Sequence, residues 1–273
     1  GIMDRLIEAH ERGVLVQLIT DRKQSDGVDS DGNGTFFNDG FEDDLRAAGI
    51  PVFEVINPSS QFNAMHTKYG IFGLTHPTVV TDAGNWTRAG IGNGNRKPRN
   101  DESVLFIQSE LDDGLTAKRY LANYVRILRR YAGAPNQHLY QTGDASLRGA
   151  IDELFAHPLW PSAELRVDAI AHTYFGQKVF LAGEPSALGN WTADSLGLAL
   201  GTNAQDFPLW RSETVPLPLG TEVEAKLIKV NGNQITWEAG GNRRILADPT
   251  HFSTAGVRPH PTEVQHSLSF REQ

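Results

Sequence analysis

The sequence predicts two domains of different class: an α/β lobe, with helices flanking a mixed sheet, and then an all-β sandwich. Three observations predict this. Helical patterns alternate with apolar runs of strand length up to Tyr131. From Leu165 onward short strand patterns dominate, separated by Gly and Pro. The length of 273 residues suits two domains.

The elements follow in chain order. Residues 3–12 read as a helix that stops at Gly13. Val14–Ile19 is an apolar run of strand length. An acidic, glycine-rich loop runs from Asp21 to Gly40. A short helix over 41–48 ends at Gly49, and Pro51–Ile56 is a strand. Further strands are expected near 66–72, 77–81 and 102–108. A long helix over 113–131 carries Leu121, Val125 and Leu128 at helical spacing. Asp112 and Asp113 at its start and Arg129 and Arg130 at its end match the helix dipole. Residues 132–145 read as a loop and 146–156 as a short helix. Strands then follow over 166–171, 178–182, 222–229 and 234–238. The expected domains are a lobe over 1–131, a linker with a short helix over 132–163, and a sandwich over 164–273.

An apolar content of 39% supports real cores. A net charge of −8 disfavours nonspecific nucleic-acid binding. There is no cysteine, hence no disulfide and no thiolate chemistry. No apolar run reaches the length of a transmembrane helix. The chain opens at Gly1 inside a helical pattern, so a region upstream is expected.

The last third carries an ordered set of tryptophans. It reads Leu188-Gly189-Asn190-Trp191, then Pro208-Leu209-Trp210, Leu217–Thr221, Glu224–Ile228 and Trp237–Arg243. A pyranose ring has an apolar C–H face, which flat aromatic rings match, and a rim of hydroxyls for amides and cations. Taken together, the frame resembles family 20 of the carbohydrate-binding modules, the starch-binding modules. The resemblance covers residues 165 to about 271 and implies an immunoglobulin-like sandwich that binds starch or another α-glucan. It implies one sugar site of Trp191, Trp237, Lys226 and Asn242, with Glu238 beside them. It implies a second site of Trp210 and Phe175, where the family has tyrosine in place of Phe175. A packed sandwich residue is the lesser alternative for Trp210. Secretion from a bacterial cell is the expectation for such a protein.

The first third carries His66-Thr67-Lys68, then Thr81–Thr87 and Asn100–Ser103. On a strand, residues i and i+2 share a face, so His66 and Lys68 are expected to point into one site. This set resembles the H-x-K, G-S-x-N-W-T and N-x-E signature of the phospholipase D superfamily over roughly residues 3–131. The resemblance implies phosphodiester chemistry through phosphohistidine and no required cofactor. His66 would be the nucleophile, with Lys68 and Asn85 on the phosphate oxygens and Glu102 orienting the imidazole. Three departures matter. The family's aspartate after H-x-K falls on Gly73. The family's glycine and serine fall on Asp82 and Ala83. The superfamily site needs two such motifs, and this chain has one, so a homodimer or a missing N-terminal lobe would have to supply the other.

Asp29-Ser30-Asp31-Gly32-Asn33-Gly34 opens like a calcium loop, with Asp29, Asp31, Asn33 and nearby Asp39 as candidate ligands. A solvated acidic loop is the other reading. Three functions stand at this stage. The chain is a phospholipase D-type enzyme tethered to an α-glucan, a catalytically silent α-glucan-binding protein, or the C-terminal part of a larger amylolytic enzyme.

Overall fold

The computed structural model describes residues 2–21, 41–56, 66–82, 103–111, 114–132, 146–191, 197–247 and 263–271. The chain divides into two compact units. The first comprises residues 1–73, 77–108 and 124–158, and the second 74–76, 109–123 and 159–273.

The first unit contains helices and two small sheets. Helix α1 (Ile2–Glu11) turns Met3, Leu6 and Ile7 toward the buried Leu45, Ile50 and Val52. It ends at Gly13, whose φ of 83° is one that glycine adopts without strain. Strand β1 (Leu18–Asp21) and strand β2 (Val52–Val55) pair in parallel, from Leu18 opposite Val52 to Asp21 opposite Val55. A parallel pair needs a crossover, and α2 (Phe41–Ala47) lies between the two strands in sequence. All four residues of β2 are buried, including Glu54, whose carboxylate is paired with Arg46 at 2.9 Å. The first strand is shorter than expected, because the Val14–Gln17 part of its apolar run lies outside the ladder.

Strands β3 (Tyr69–Phe72), β4 (Thr78–Asp82) and β5 (Val104–Gln108) form an antiparallel sheet in that order. Among the described residues the lobe therefore holds a parallel pair and a separate antiparallel sheet, not the single mixed sheet expected. Helix α3 (Leu115–Tyr131), which falls to the second unit up to Asn123 and to the first from Tyr124, buries Leu121, Val125 and Leu128 as the spacing predicts. Helix α4 (Leu147–Ala156) starts at Ser146, whose Oγ accepts the Gly149 amide at 3.0 Å. It is tied to the lobe: Gln17 Nε2 donates to Glu153 Oε2 at 2.9 Å and to the Ala150 carbonyl at 3.4 Å.

Among the described residues the second unit contains nine strands in one hydrogen-bonded set. They are β6 (Ser162–Ile170), β7 (Lys178–Gly183), β8 (Leu198–Gly201), β9 (Leu209–Ser212), β10 (Val215–Pro218), β11 (Glu222–Asn231), β12 (Gln234–Trp237), β13 (Arg243–Leu246) and β14 (Glu263–Ser269). The ladder order is β10-β6-β9-β8-β7-β11-β12, with β13 on β11 and β14 on β6. Named strands pair antiparallel except β14, which runs parallel to β6. Alternation along β6 and β11 buries Ala163, Leu165 and Val167 on one strand and Val223, Ala225 and Leu227 on the other. This is an all-β sandwich, as expected.

Candidate functional site

The sandwich brings two tryptophans together from distant parts of the chain. Trp237 ends β12, while Trp191 follows the short 3-10 turn Ser186–Leu188. Their ring centroids are 6.0 Å apart and their planes are inclined at 35°. Both remain over a third exposed, whereas tryptophans that serve a core are buried. The turn explains how Trp191 gets there. Gly189, Asn190 and Trp191 all lie in the left-handed region, at φ of 81°, 50° and 57°. The Trp191 amide donates to the Gly183 carbonyl at 3.1 Å and fixes the turn against β7.

Lys226 and Asn242 belong to the same end of the sandwich. Lys226 Nζ donates to the Gly240 carbonyl at 2.6 Å and to the Glu238 carbonyl at 3.3 Å. Asn242 Nδ2 donates to Glu224 Oε2 at 3.0 Å. Both residues thus have polar tips anchored on the loop and strand beside Trp237. Glu238 is placed differently from the sequence expectation. It is buried, at 1% exposure, and its carboxylate faces inward. Oε1 accepts the Leu227 amide at 3.0 Å and Arg243 Nε at 2.8 Å. Oε2 accepts Arg243 Nη2 at 2.5 Å and Arg271 Nε at 3.1 Å. Burial opposes its ionisation, but the bonds from Arg243, Arg271 and the Leu227 amide outweigh that and hold its carboxyl below the usual range. Glu238 supports the loop from inside and presents no oxygen to a ligand.

The second grouping does not form a matching pair. Trp210, on β9, is 7% exposed, and its indole N–H donates to the Ala171 carbonyl at 3.0 Å. It is a core residue, the alternative that the sequence left open. Phe175 is fully exposed on the turn between β6 and β7, next to the exposed Tyr174. Phe207, also exposed, meets His172 edge to face at 6.1 Å. Tyr174, Phe207 and Arg271 carry no signal in the sequence, and Arg243 stands there only as the end of the tryptophan frame, with no role. Exposed aromatics at turns carry no periodic signal, and Arg271 meets Glu238 across 33 residues of chain.

In the lobe, His66 and Lys68 lie just before β3, not within it. The strand geometry expected to align their side chains therefore does not apply. Lys68 Nζ turns back to the His66 carbonyl at 3.1 Å, and Thr81 Oγ1 takes the Lys68 carbonyl at 2.8 Å. His66 is exposed and Lys68 half-buried. Continuing the Tyr69–Thr81 register puts Asp82 across from Lys68. One Asp82 oxygen is buried with no hydrogen-bond partner among the described residues. Asn85, Glu102 and the loop residues Asp29, Asp31, Asn33 and Asp39 lie outside the described residues. No group of three His, Cys, Asp or Glu side chains suited to a metal occurs among the described residues. No described helix is long and apolar enough to cross a membrane.

Comparison with known proteins matches each part separately. Residues 162–255 match the family model described as starch binding domain. Residues 1–127 match that described as cardiolipin synthase, PLD-like domain. A cyclomaltodextrin glucanotransferase of Thermoanaerobacterium thermosulfurigenes is 41% identical over 88 residues, 32% of this chain and 12% of the relative. Glucoamylase-1 of Schizophyllum commune is 40% identical over 75 residues, 28% of this chain and 12% of the relative. The solved family 20 module of a maltotetraose-forming amylase from Pseudomonas saccharophila is 26% identical, with a TM-score of 0.28. That match covers 39% of this chain and 99% of the module. The chain spans only about an eighth of the length of these curated relatives. By these matches the chain carries a PLD-like domain over residues 1–127 and a starch binding domain over residues 162–255.

Proposed function

We propose that this protein binds an α-glucan such as starch through the Trp191–Trp237 pair. The observation that carries this is the pair itself: two half-exposed indoles, 6.0 Å apart and inclined at 35°. Inclined rings suit successive sugars of a curved chain better than those of a flat one. Lys226 and Asn242 stand ready to exchange their bonds to the loop and to Glu224 for sugar hydroxyls. Adsorption to insoluble starch tests the proposal. Trp191→Ala or Trp237→Ala should each weaken it by about 2 kcal/mol, roughly thirtyfold, as loss of a central aromatic contact does. Unchanged adsorption in both variants overturns it.

The family match of the lobe supports a second element, half of a phospholipase D-type phosphodiesterase site. In that reading an imidazole nitrogen of His66 attacks phosphorus and the P–O bond to the leaving alcohol breaks. The alcohol takes its proton from the histidine of a second lobe, upstream or in a partner copy, and water then cleaves the P–N bond. Lys68 and Asn85 hold the phosphate oxygens, and Glu102 orients the imidazole. Asp82 speaks for the silent alternative, because continuing the Tyr69–Thr81 register sets this residue opposite Lys68, and a carboxylate near that lysine would disfavour a bound phosphate. Hydrolysis of a chromogenic phosphodiester that disappears in His66→Ala supports the enzyme. No turnover by concentrated wild type refutes it for this chain.

A further inference from the structure

The loop between β12 and β13 runs Glu238-Ala239-Gly240-Gly241-Asn242. Two adjacent glycines make such a loop intrinsically loose. Yet Trp237, which opens it, and Asn242, which closes it, must keep fixed positions to serve one ligand. Lys226 restrains it from β11. A second restraint comes from beyond β14. Arg271 Nη2 donates to the Gly241 carbonyl at 2.6 Å, its Nε donates to Glu238 Oε2 at 3.1 Å, and its own carbonyl accepts the Ala239 amide at 2.9 Å. The guanidinium also occupies the space beside Gly240, where an added Cβ would come within 3.1 Å of Nη1.

We propose that Arg271 is a positioning residue of the sugar site, locking the Glu238–Asn242 loop so that Trp237, Lys226 and Asn242 are presented together. This rests on the reading of the Trp191–Trp237 pair as the glucan platform. The fork of the guanidinium is what the position uses. One nitrogen engages the buried carboxylate while another reaches the Gly241 carbonyl, a pair of bonds that a lysine ammonium cannot reproduce in that geometry. With the loop locked before ligand arrives, binding avoids the cost of ordering it. Arg243 has a different part. It bonds both Glu238 oxygens and the Ser269 carbonyl, so it joins the loop's base to the end of β14.

The test uses the whole chain, maltoheptaose as ligand, and two readings. Indoles this close couple their ultraviolet transitions, and the resulting circular-dichroism band depends on their mutual angle. Arg271→Ala should weaken maltoheptaose binding about tenfold, the worth of one hydrogen bond to a charged group. It should also diminish the coupled band at temperatures where the melt remains cooperative, and Arg271→Lys should restore only part of each. A variant that melts earlier but keeps affinity and band overturns the proposal, since a merely structural arginine would behave so. If Arg271→Ala does not fold, Arg271→Gln keeps the stem and one amide, and the same two readings decide. If wild type does not bind, the platform reading fails, while the band in the Arg271 variants still decides the positioning.

Discussion

Trp191 occupies a backbone conformation that bulky residues avoid. Left-handed φ at a non-glycine residue costs on the order of 1–3 kcal/mol, and here Asn190 and Trp191 share it. Asparagine tolerates the region and tryptophan does not, so the fold holds the indole in place through the bonds to Gly183 and Pro185. Asn190→Ile should lower stability by about 1–2 kcal/mol in urea unfolding, because a branched Cβ meets the carbonyl in that region. Glu238→Gln should cost roughly 3 kcal/mol by leaving two guanidinium groups against a neutral amide. The same carboxylate sets an acid limit. Its folded pKa lies below the ordinary 4.5, so its contribution is complete above that pH and is lost as pH falls through the lower folded value. The urea midpoint of wild type should therefore fall more steeply below pH 4.5 than that of Glu238→Gln. The tryptophans were legible from their order in the sequence. The burial of Glu238 was not, because two of the groups that neutralise it come from Arg243 and from Arg271 on the far side of β14.

Among the elements, α3 was the most legible, since one apolar stripe at helical spacing specifies which face is buried. Leu128→Ala removes a side chain with no exposure and should cost roughly 2–5 kcal/mol in urea unfolding of the lobe. Ser146→Ala should cost about 1 kcal/mol by freeing the Gly149 amide at the start of α4. The four-residue strands of the sandwich other than β12 were hardest to read. β10 contains Pro216 and Pro218, which argue against a central strand, and it sits at the end of the ladder order, where proline is tolerated. β9 hides behind Pro208, and β8 and β13 are too short for alternation to stand out. The H-x-K segment misled for a related reason. Its apolar continuation, Tyr69–Phe72, is the strand, and the motif itself precedes the ladder.

For the molecule as a whole, composition and periodicity separated an α/β part from an all-β part, and both appear. Sheet partners within the lobe were not legible, because apolar runs say that strands exist and not which ones pair. Nor was the partner of β14. It pairs along seven positions, from Glu263 opposite Glu164 to Ser269 opposite Ile170, and nothing local in either segment marks the other. That pairing has a mechanical consequence. The chain enters the sandwich at the start of β6 and leaves it at the end of β14, and the two strands run parallel. A pull applied between these points therefore loads the whole ladder in shear, so the bonds must fail together and cannot peel one by one. In single-molecule stretching, pulling from Ser162 and Ser269 should need markedly more force than pulling across the β11–β12 hairpin, whose bonds can open in sequence.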